Sequence, residues 1–307
     1  MAGDFLVVPR GLRRTDMPCR PATCLAALLV SAAQATGAGA APPPPVEQAS
    51  ANPDPSNGVA AADPLILADD ALQGRRLFEA QMYLDRLAAD PRPEALLLRA
   101  ELALLRGRPH EALALLARPG ADSTPVCRTG AAAAMALLQV GRAEQASARS
   151  EALDSRCSAD PFHWRTRGRI SYARRDIPGA LAAFRQALAL QPSDPGIEND
   201  LAVSLIAAGD AEQAAGMLTE LLRQAPEASD VSLNLDFANA MRGIEPVRRP
   251  QDDDQMWSIR LEMAGQGARQ ARRIKLAESL LARALLNRPR HDDALWQQYA
   301  EVAGRDD

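Results

Sequence analysis

Small, apolar and polar residues recur at fixed intervals along much of the chain. The stretch WRTRGRISYARRDIPGALAAFRQALALQP, at residues 164–192, places Trp, Gly, Ala, Phe, Ala and Pro at regular spacing between polar positions. Ala and Leu are frequent throughout and aromatic residues make up only 4% of the chain, which favours closely packed helices over strands. The pattern therefore predicts an all-α fold.

The interval that organises this pattern is 34 residues. It relates four sets of positions: Ala112, Ala146, Ala180 and Ala214; Ala100, Ala134, Gly168 and Ala202; Gly107, Gly141, Gly209 and Gly243, with Arg175 in the intervening slot; and Pro192 and Pro226. Self-similarity at a fixed period indicates a repeat architecture. Four repeats can be written in frame, at residues 93–126, 127–160, 161–194 and 195–228.

The repeat resembles the tetratricopeptide repeat, a helical hairpin of 34 residues. Family positions are matched by Trp164, Gly168, Ala180, Phe184, Ala187 and Pro192. The resemblance implies a right-handed superhelical solenoid in which small residues lie where helices A and B of each hairpin cross. Proline ends helix B at 192 and 226, while Asp160 and Asp194, each followed by proline, start the next helices.

The repeat domain is expected to span residues 65–304. A degenerate first hairpin is placed at Arg75–Pro91, and a partial fifth repeat begins at 230–243. The register breaks near 244–254, where prolines and an acidic cluster disfavour a helix B. It resumes in a final hairpin with a closing helix at 292–304. Whether the segment around 256–265 is helix B of one unit or helix A of the next is left open.

The first 40 residues are typical of a secretory signal peptide. Arginines precede the apolar run CLAALLVSAA (24–33), and small residues ending at Ala40 follow it. The Pro/Ala-rich segment 41–64 has too little apolar surface to fold and is expected to be a disordered linker. We therefore expect export to the periplasm or cell envelope, with either Met1 or Met17 as the start.

Two cysteines remain after the expected signal peptide, Cys127 and Cys157. They stand at the start of helix A and the end of helix B of one repeat, and such ends meet in an antiparallel hairpin. In an oxidising compartment outside the cytoplasm the pair is expected to form a disulfide; the alternative is two ordinary buried cysteines.

The sequence carries no motif typical of catalysis or of a cofactor. The three histidines lie in different repeats, without metal-ligand spacing, a nucleophile triad or a glycine-rich phosphate loop. With 35 basic and 39 acidic residues, the chain has no overall footprint for nucleic acid or an anionic membrane. The basic run RQARRIK (269–275) is more simply a solvated helix face. We expect no enzymatic activity, no cofactor, no metal, no nucleic-acid partner and no small-molecule substrate, and membrane contact only through partners.

A partner-binding groove is expected on the concave side of the solenoid, which helix A of each hairpin lines. Arginine and aromatic side chains there suit an extended peptide of acidic character, and asparagines can bond its backbone; a solvated surface is the alternative. The expected groove residues are Arg128, Arg165, Arg169, Tyr172, Asn199, Asn234 and Phe237.

Residues 199–243, with their paired NDLA and NLDF starts, resemble the TadD-type proteins of the tight adherence (Flp) pilus system. The resemblance implies an exported assembly factor for a pilus or related secretion machine, which presents its groove to partner proteins. The other function considered is a periplasmic chaperone-like adaptor or regulator of a cell-wall or polysaccharide biosynthesis enzyme.

Overall fold

The computed structural model describes residues 63–87, 92–118 and 126–304 of the 307-residue chain. These residues form fourteen helices and no strand, which confirms the all-α class. The predicted signal peptide and all but the last two residues of the predicted linker lie outside the described residues. The chain divides into two compact units between Arg142 and Ala143, so the division falls inside the predicted repeat 127–160.

The described part of the first unit begins with a helical hairpin at its N-terminal end. The helices of this unit are α1 (Pro64–Gln73), α2 (Leu77–Arg86), α3 (Pro93–Leu105), α4 (Pro109–Leu116) and α5 (Val126–Gln139). Helix α1 packs on α2 and α3, around a core of alanine and leucine that includes Ala71 and Leu84. The degenerate first hairpin therefore begins at Pro64, earlier than predicted, because the described part of the segment Arg75–Pro91 supplies only α2.

The second unit contains most of the well-formed hairpins. Its helices are α6 (Ala143–Glu151), α7 (Pro161–Ala173), α8 (Ile177–Leu190), α9 (Pro195–Ala208), α10 (Ala211–Gln224), α11 (Ser229–Arg242), α12 (Asp254–Gln270), α13 (Ile274–Asn287) and α14 (Asp293–Ala303). Each helix of α7 to α14 packs on the next along the chain.

The predicted start signals act as helix caps. Asp160 accepts hydrogen bonds from the backbone N–H groups of Phe162 and His163 at the start of α7. Asp194 does the same for Ile197 at the start of α9. Proline follows each cap at the first helical position, where its missing N–H costs no intrahelical bond.

Small residues set the contact between helices A and B. A methyl group at Gly168 of α7 would lie 2.6 Å from the ring of Phe184 in α8, and one at Gly265 of α12 would lie 2.8 Å from the side chain of Leu281 in α13. Both contacts join residues sixteen apart. The final hairpin therefore repeats the frame of the earlier one, and α12 is its helix A.

The fifth repeat has no helix B. Residues 243–253 between α11 and α12 form no helix, and α12 packs directly on α11. The approach is close, since a methyl group at Gly267 would overlap the backbone carbonyl of Phe237. The glycines of the GQG stretch thus serve helix packing.

The turn between helices A and B requires a left-handed backbone. Three glycines hold this turn, with φ of 68° at Gly107, 79° at Gly141 and 91° at Gly209, and Gly243, which ends helix A of the fifth repeat, adopts the same conformation at 90°. Arg175, in the intervening slot, adopts φ 65°. Glycine recurs at this position because a side chain is disfavoured in the left-handed region.

We expect Gly209→Ala to lower the free energy of unfolding by about 1 kcal/mol, through backbone strain alone. A methyl group at Gly209 would meet nothing within 4 Å, so no clash contributes. Gly216, inside α10, has the same open surroundings; Gly216→Ala should instead stabilise by about 0.5–1 kcal/mol. Urea unfolding of both variants measures the contrast, and equal effects would contradict the turn assignment.

Among the described residues, no helix combines the length and the apolar character needed to cross a membrane.

Candidate partner-binding face of helix A

The expected groove residues of α7 converge on one carboxylate of α9. The Nε of Arg165 lies 2.7 Å from Oδ2 of Asp200, and the Nε of Arg169 lies 2.9 Å from the same oxygen. A further N–H of Arg169 donates to Oδ1 at 3.2 Å. The two helices A are therefore joined by a charge-assisted cluster on the face that the sequence assigns to the groove.

Asp200 is buried beneath these arginines, with 1% of its side chain exposed. Burial alone would raise the pKa of Asp200, but the charges of Arg165 and Arg169, with their hydrogen bonds, hold it below its usual value. Asp200 is thus a carboxylate that the two arginines keep ionised.

Arg165 keeps donor capacity on this face. Within the described residues, Arg165 donates a hydrogen bond through Nε alone, to Asp200. The carboxylate of Asp194 lies 3.9 Å from its Nη1. The guanidinium rests over Gly196, where any added methyl group would overlap it. About 21% of the Arg165 side chain is exposed, and its terminal N–H groups are donors that no hydrogen bond within the described residues uses.

The two asparagines of the expected groove bind each other. The amide nitrogen of Asn234 in α11 donates to the side-chain oxygen of Asn199 in α9 at 3.0 Å, and both residues are buried. The expectation that they bond the backbone of a peptide is therefore corrected: in this structure they join adjacent helices A.

The two aromatic residues of the expected groove belong to the interior. Phe237 is fully buried in the main hydrophobic cluster of the second unit, which corrects its assignment to the groove surface. Tyr172 is partly buried and packs against the same cluster. Burial raises the pKa of Tyr172 to about 12.

Arg128 lies in the first unit, on α5. It binds both oxygens of Glu101 in α3, at 2.6 Å each, and Asp69 in α1. Like the arginines of α7, it connects helix A to other helices of its unit.

A further buried cluster joins α11 to α12. The Nε and Nη2 of Arg260 lie 2.7 and 3.0 Å from the two carboxylate oxygens of Asp236, and Nη1 lies 2.5 Å from Asp252 and 3.0 Å from the carbonyl of Val247. All three charged side chains are buried. This cluster holds the loop 243–253 against the helices.

Cys127 and Cys157 are both disulfide-bonded. That they are bonded to each other remains the prediction made from the repeat frame.

The 34-residue pattern does not by itself indicate the acidic partners of these arginines. Asp200 and Glu101 lie within two residues of the small-residue positions 202 and 100, where helices cross, and Asp236 itself occupies the equivalent position of the fifth repeat. That proximity is the signal that could have identified them, because a charge placed at a crossing is buried and needs a partner.

Within the described residues, no group of acidic, histidine and cysteine side chains could hold a metal ion. His163 is fully buried, with Nε2 3.0 Å from Asp154 and its ring in edge contact with Trp164, a packing role.

Comparison with known proteins supports the repeat assignment. A family model described as a tetratricopeptide repeat matches residues 171–234, and no curated protein matches the chain. Among solved structures, a thermophilic TPR protein from Thermus thermophilus is 24% identical, covers 57% of this chain and 96% of its own, and has a TM-score of 0.49. The APC/C hetero-tetramer Cut9–Hcn1 is 14% identical, covers 78% of this chain and 42% of its own, and has a TM-score of 0.52. The family match falls on the best-formed hairpins, so residues 171–234 resemble tetratricopeptide repeats both in sequence and in their helical hairpins.

Proposed function

We propose that this chain is an exported tetratricopeptide scaffold that binds partner proteins without turnover and acts as an assembly factor for a tight adherence (Flp) pilus or a related envelope secretion system. The repeats support the protein-binding part of the proposal, since stacked helical hairpins present extended binding surfaces. The paired NDLA and NLDF starts and the signal-like N-terminal segment support the pilus and export parts.

The observation that carries the proposal is the arginine pair on α7. Arg165 and Arg169 are anchored on Asp200, so their guanidinium groups are held in place before a partner arrives, and less side-chain entropy is lost on binding. Arginine in a fixed geometry is suited to a carboxylate. The expected ligand is therefore an extended, acidic segment of a partner protein.

We expect Arg165→Gln to weaken partner capture by about tenfold or more, because it removes the charge that faces the partner. The fold should survive, since Arg169 still gives Asp200 two hydrogen bonds. Arg185→Gln is the matched control, as Arg185 is an exposed residue of helix B in the same hairpin. Binding is measured with the partner that capture from envelope extract identifies, and folding is measured by circular dichroism. Equal binding by both variants would mean that α7 is not part of the interface.

The identity of the partner is tested by capture from envelope extract, with the retained proteins identified by mass spectrometry. Recovery of the pilus secretin or inner-membrane secretion components supports the pilus proposal. Recovery of cell-wall or polysaccharide enzymes would instead favour the adaptor function and exclude the pilus. In either case the Arg165→Gln variant should lose the partner while the Arg185→Gln variant keeps it.

A further inference from the structure

The loop 243–253 stands in the sequence position of the missing helix B and is fixed at several points. Arg260 donates to the carbonyl of Val247, and Arg283 of α13 binds Glu245 at 2.6 Å. The carboxylate of Asp252 accepts from the backbone N–H of Arg249 at 2.8 Å. An irregular segment with this many bonds holds its side chains in a defined arrangement.

The fixed loop exposes apolar side chains. Val247 is 79% exposed and Ile244 is 46% exposed. On α13, Leu286 is 85% exposed and lies one helical turn after Arg283, the residue that binds the loop. We call these three exposed apolar side chains, Ile244 and Val247 on the loop and Leu286 on the helix that binds it, the loop patch.

The preceding helix B carries a different surface. The exposed residues of α10 are polar or small: Glu212, Gln213, Gly216, Thr219, Glu220, Arg223 and Gln224. Rigidly held apolar side chains on a surface that is otherwise polar mark an interaction site. Packing within the described residues therefore leaves the side chains of the loop patch exposed, and we infer that another molecule covers them.

The charges around Val247 indicate what covers it. In the sequence Glu245-Pro246-Val247-Arg248-Arg249, Glu245 and Arg249 stand two residues on either side of Val247. If two such segments meet antiparallel about Val247, Glu245 of each copy faces Arg249 of the other. The bond from Glu245 to Arg283 is between exposed groups, and such pairs are weak enough to be shared with a new partner.

We propose that the loop patch is a two-fold interface with a second copy of this chain, in which Val247 packs against its counterpart and Glu245 and Arg249 form reciprocal ion pairs. A two-fold contact uses the same surface on both copies and must be self-complementary. The loop patch supplies the apolar contact, and Glu245 and Arg249 beside it supply complementary charges. The interface goes beyond the proposed function and uses none of the arginines of α7, so either can fail without the other.

The first test is the oligomeric state of the full chain, by size-exclusion chromatography with light scattering over a dilution series. We expect a monomer–dimer equilibrium whose dissociation constant rises by about tenfold or more in Val247→Asp. Leu190→Asp, at an exposed apolar residue of α8, is the control and should dimerise like the unaltered chain. A monomer at every concentration, or a dimer that Val247→Asp leaves intact, would overturn the proposal.

Disulfide crosslinking tests whether Val247 of one copy lies next to Val247 of the other. In a background with Cys19→Ser and Cys24→Ser, Val247→Cys should give a disulfide-linked dimer under mild oxidation, because the two-fold axis brings each residue to its own counterpart. Ala182→Cys, on α8 of a different hairpin, should remain unlinked. Linking of both variants to the same extent, or of neither, would contradict the two-fold contact.

Discussion

Asp200→Ala is expected to lower the free energy of unfolding by about 3–5 kcal/mol, because it leaves Arg165 and Arg169 largely buried without their carboxylate. Urea unfolding followed by circular dichroism measures the change. The control is Glu220→Gln: Glu220 pairs with Arg223 on the exposed face of α10, and the loss of an exposed pair should leave the midpoint almost unmoved. A small effect of Asp200→Ala would mean that the cluster does not hold α7 to α9.

The same variant should show a defined pH dependence. The pKa of Asp200 is lowered in the folded chain, so its ionised form contributes stability above the unfolded pKa of about 3.9, and this contribution is lost as the pH falls through the lower folded value. The stability difference between the unaltered chain and Asp200→Ala should therefore be full near neutrality and narrow below about pH 4. A difference that stays constant into strong acid would contradict the ion pairing.

Arg260→Met is expected to lower the free energy of unfolding by a similar amount, about 3–5 kcal/mol, because it leaves Asp236 and Asp252 buried without the guanidinium that binds both carboxylates. It also removes the donor to the carbonyl of Val247, so the loop 243–253 should become accessible to proteases while the helices remain. Thermal unfolding and limited proteolysis measure the two effects.

A matched variant separates charge from packing at this cluster. Adding Asp236→Asn and Asp252→Asn to Arg260→Met removes the unpaired charges, and it should recover most of the lost stability without restoring the fixed loop. If the triple variant is as unstable as Arg260→Met alone, the cost comes from packing and the electrostatic account is wrong.

The helical hairpins could be predicted from the sequence because their determinants are local. A proline, a capping aspartate or a glycine in the left-handed turn acts on its own helix end, and the 34-residue period aligns these signals. Arg175 shows that the residue type does not always reveal the turn. It stands where the other repeats have glycine and still adopts φ 65°, because the surrounding turn imposes that conformation.

The candidate site could be predicted only in part, because the partners of a side chain depend on how helices rotate against each other. The frame placed Arg165 and Arg169 on the inner side of helix A, but it could not show that Asp200 would lie beneath them. It also placed Asn199 and Asn234 on that side without revealing their mutual hydrogen bond. The loss of helix B after α11 is visible as a register break, whereas the direct packing of α12 on α11 depends on the contact of Gly267 with Phe237.

We propose that partner proteins bind the helix-A face of the second unit, and photo-crosslinking tests this directly. The probe, p-benzoylphenylalanine, replaces Phe162, which is 42% exposed on α7 and lies one turn before Arg165. The same probe at Arg185, on helix B of that hairpin, serves as the reference. We predict that the partner crosslinks at Phe162 and not at Arg185; crosslinking at Arg185 alone would place the partner on the opposite face and contradict the claim.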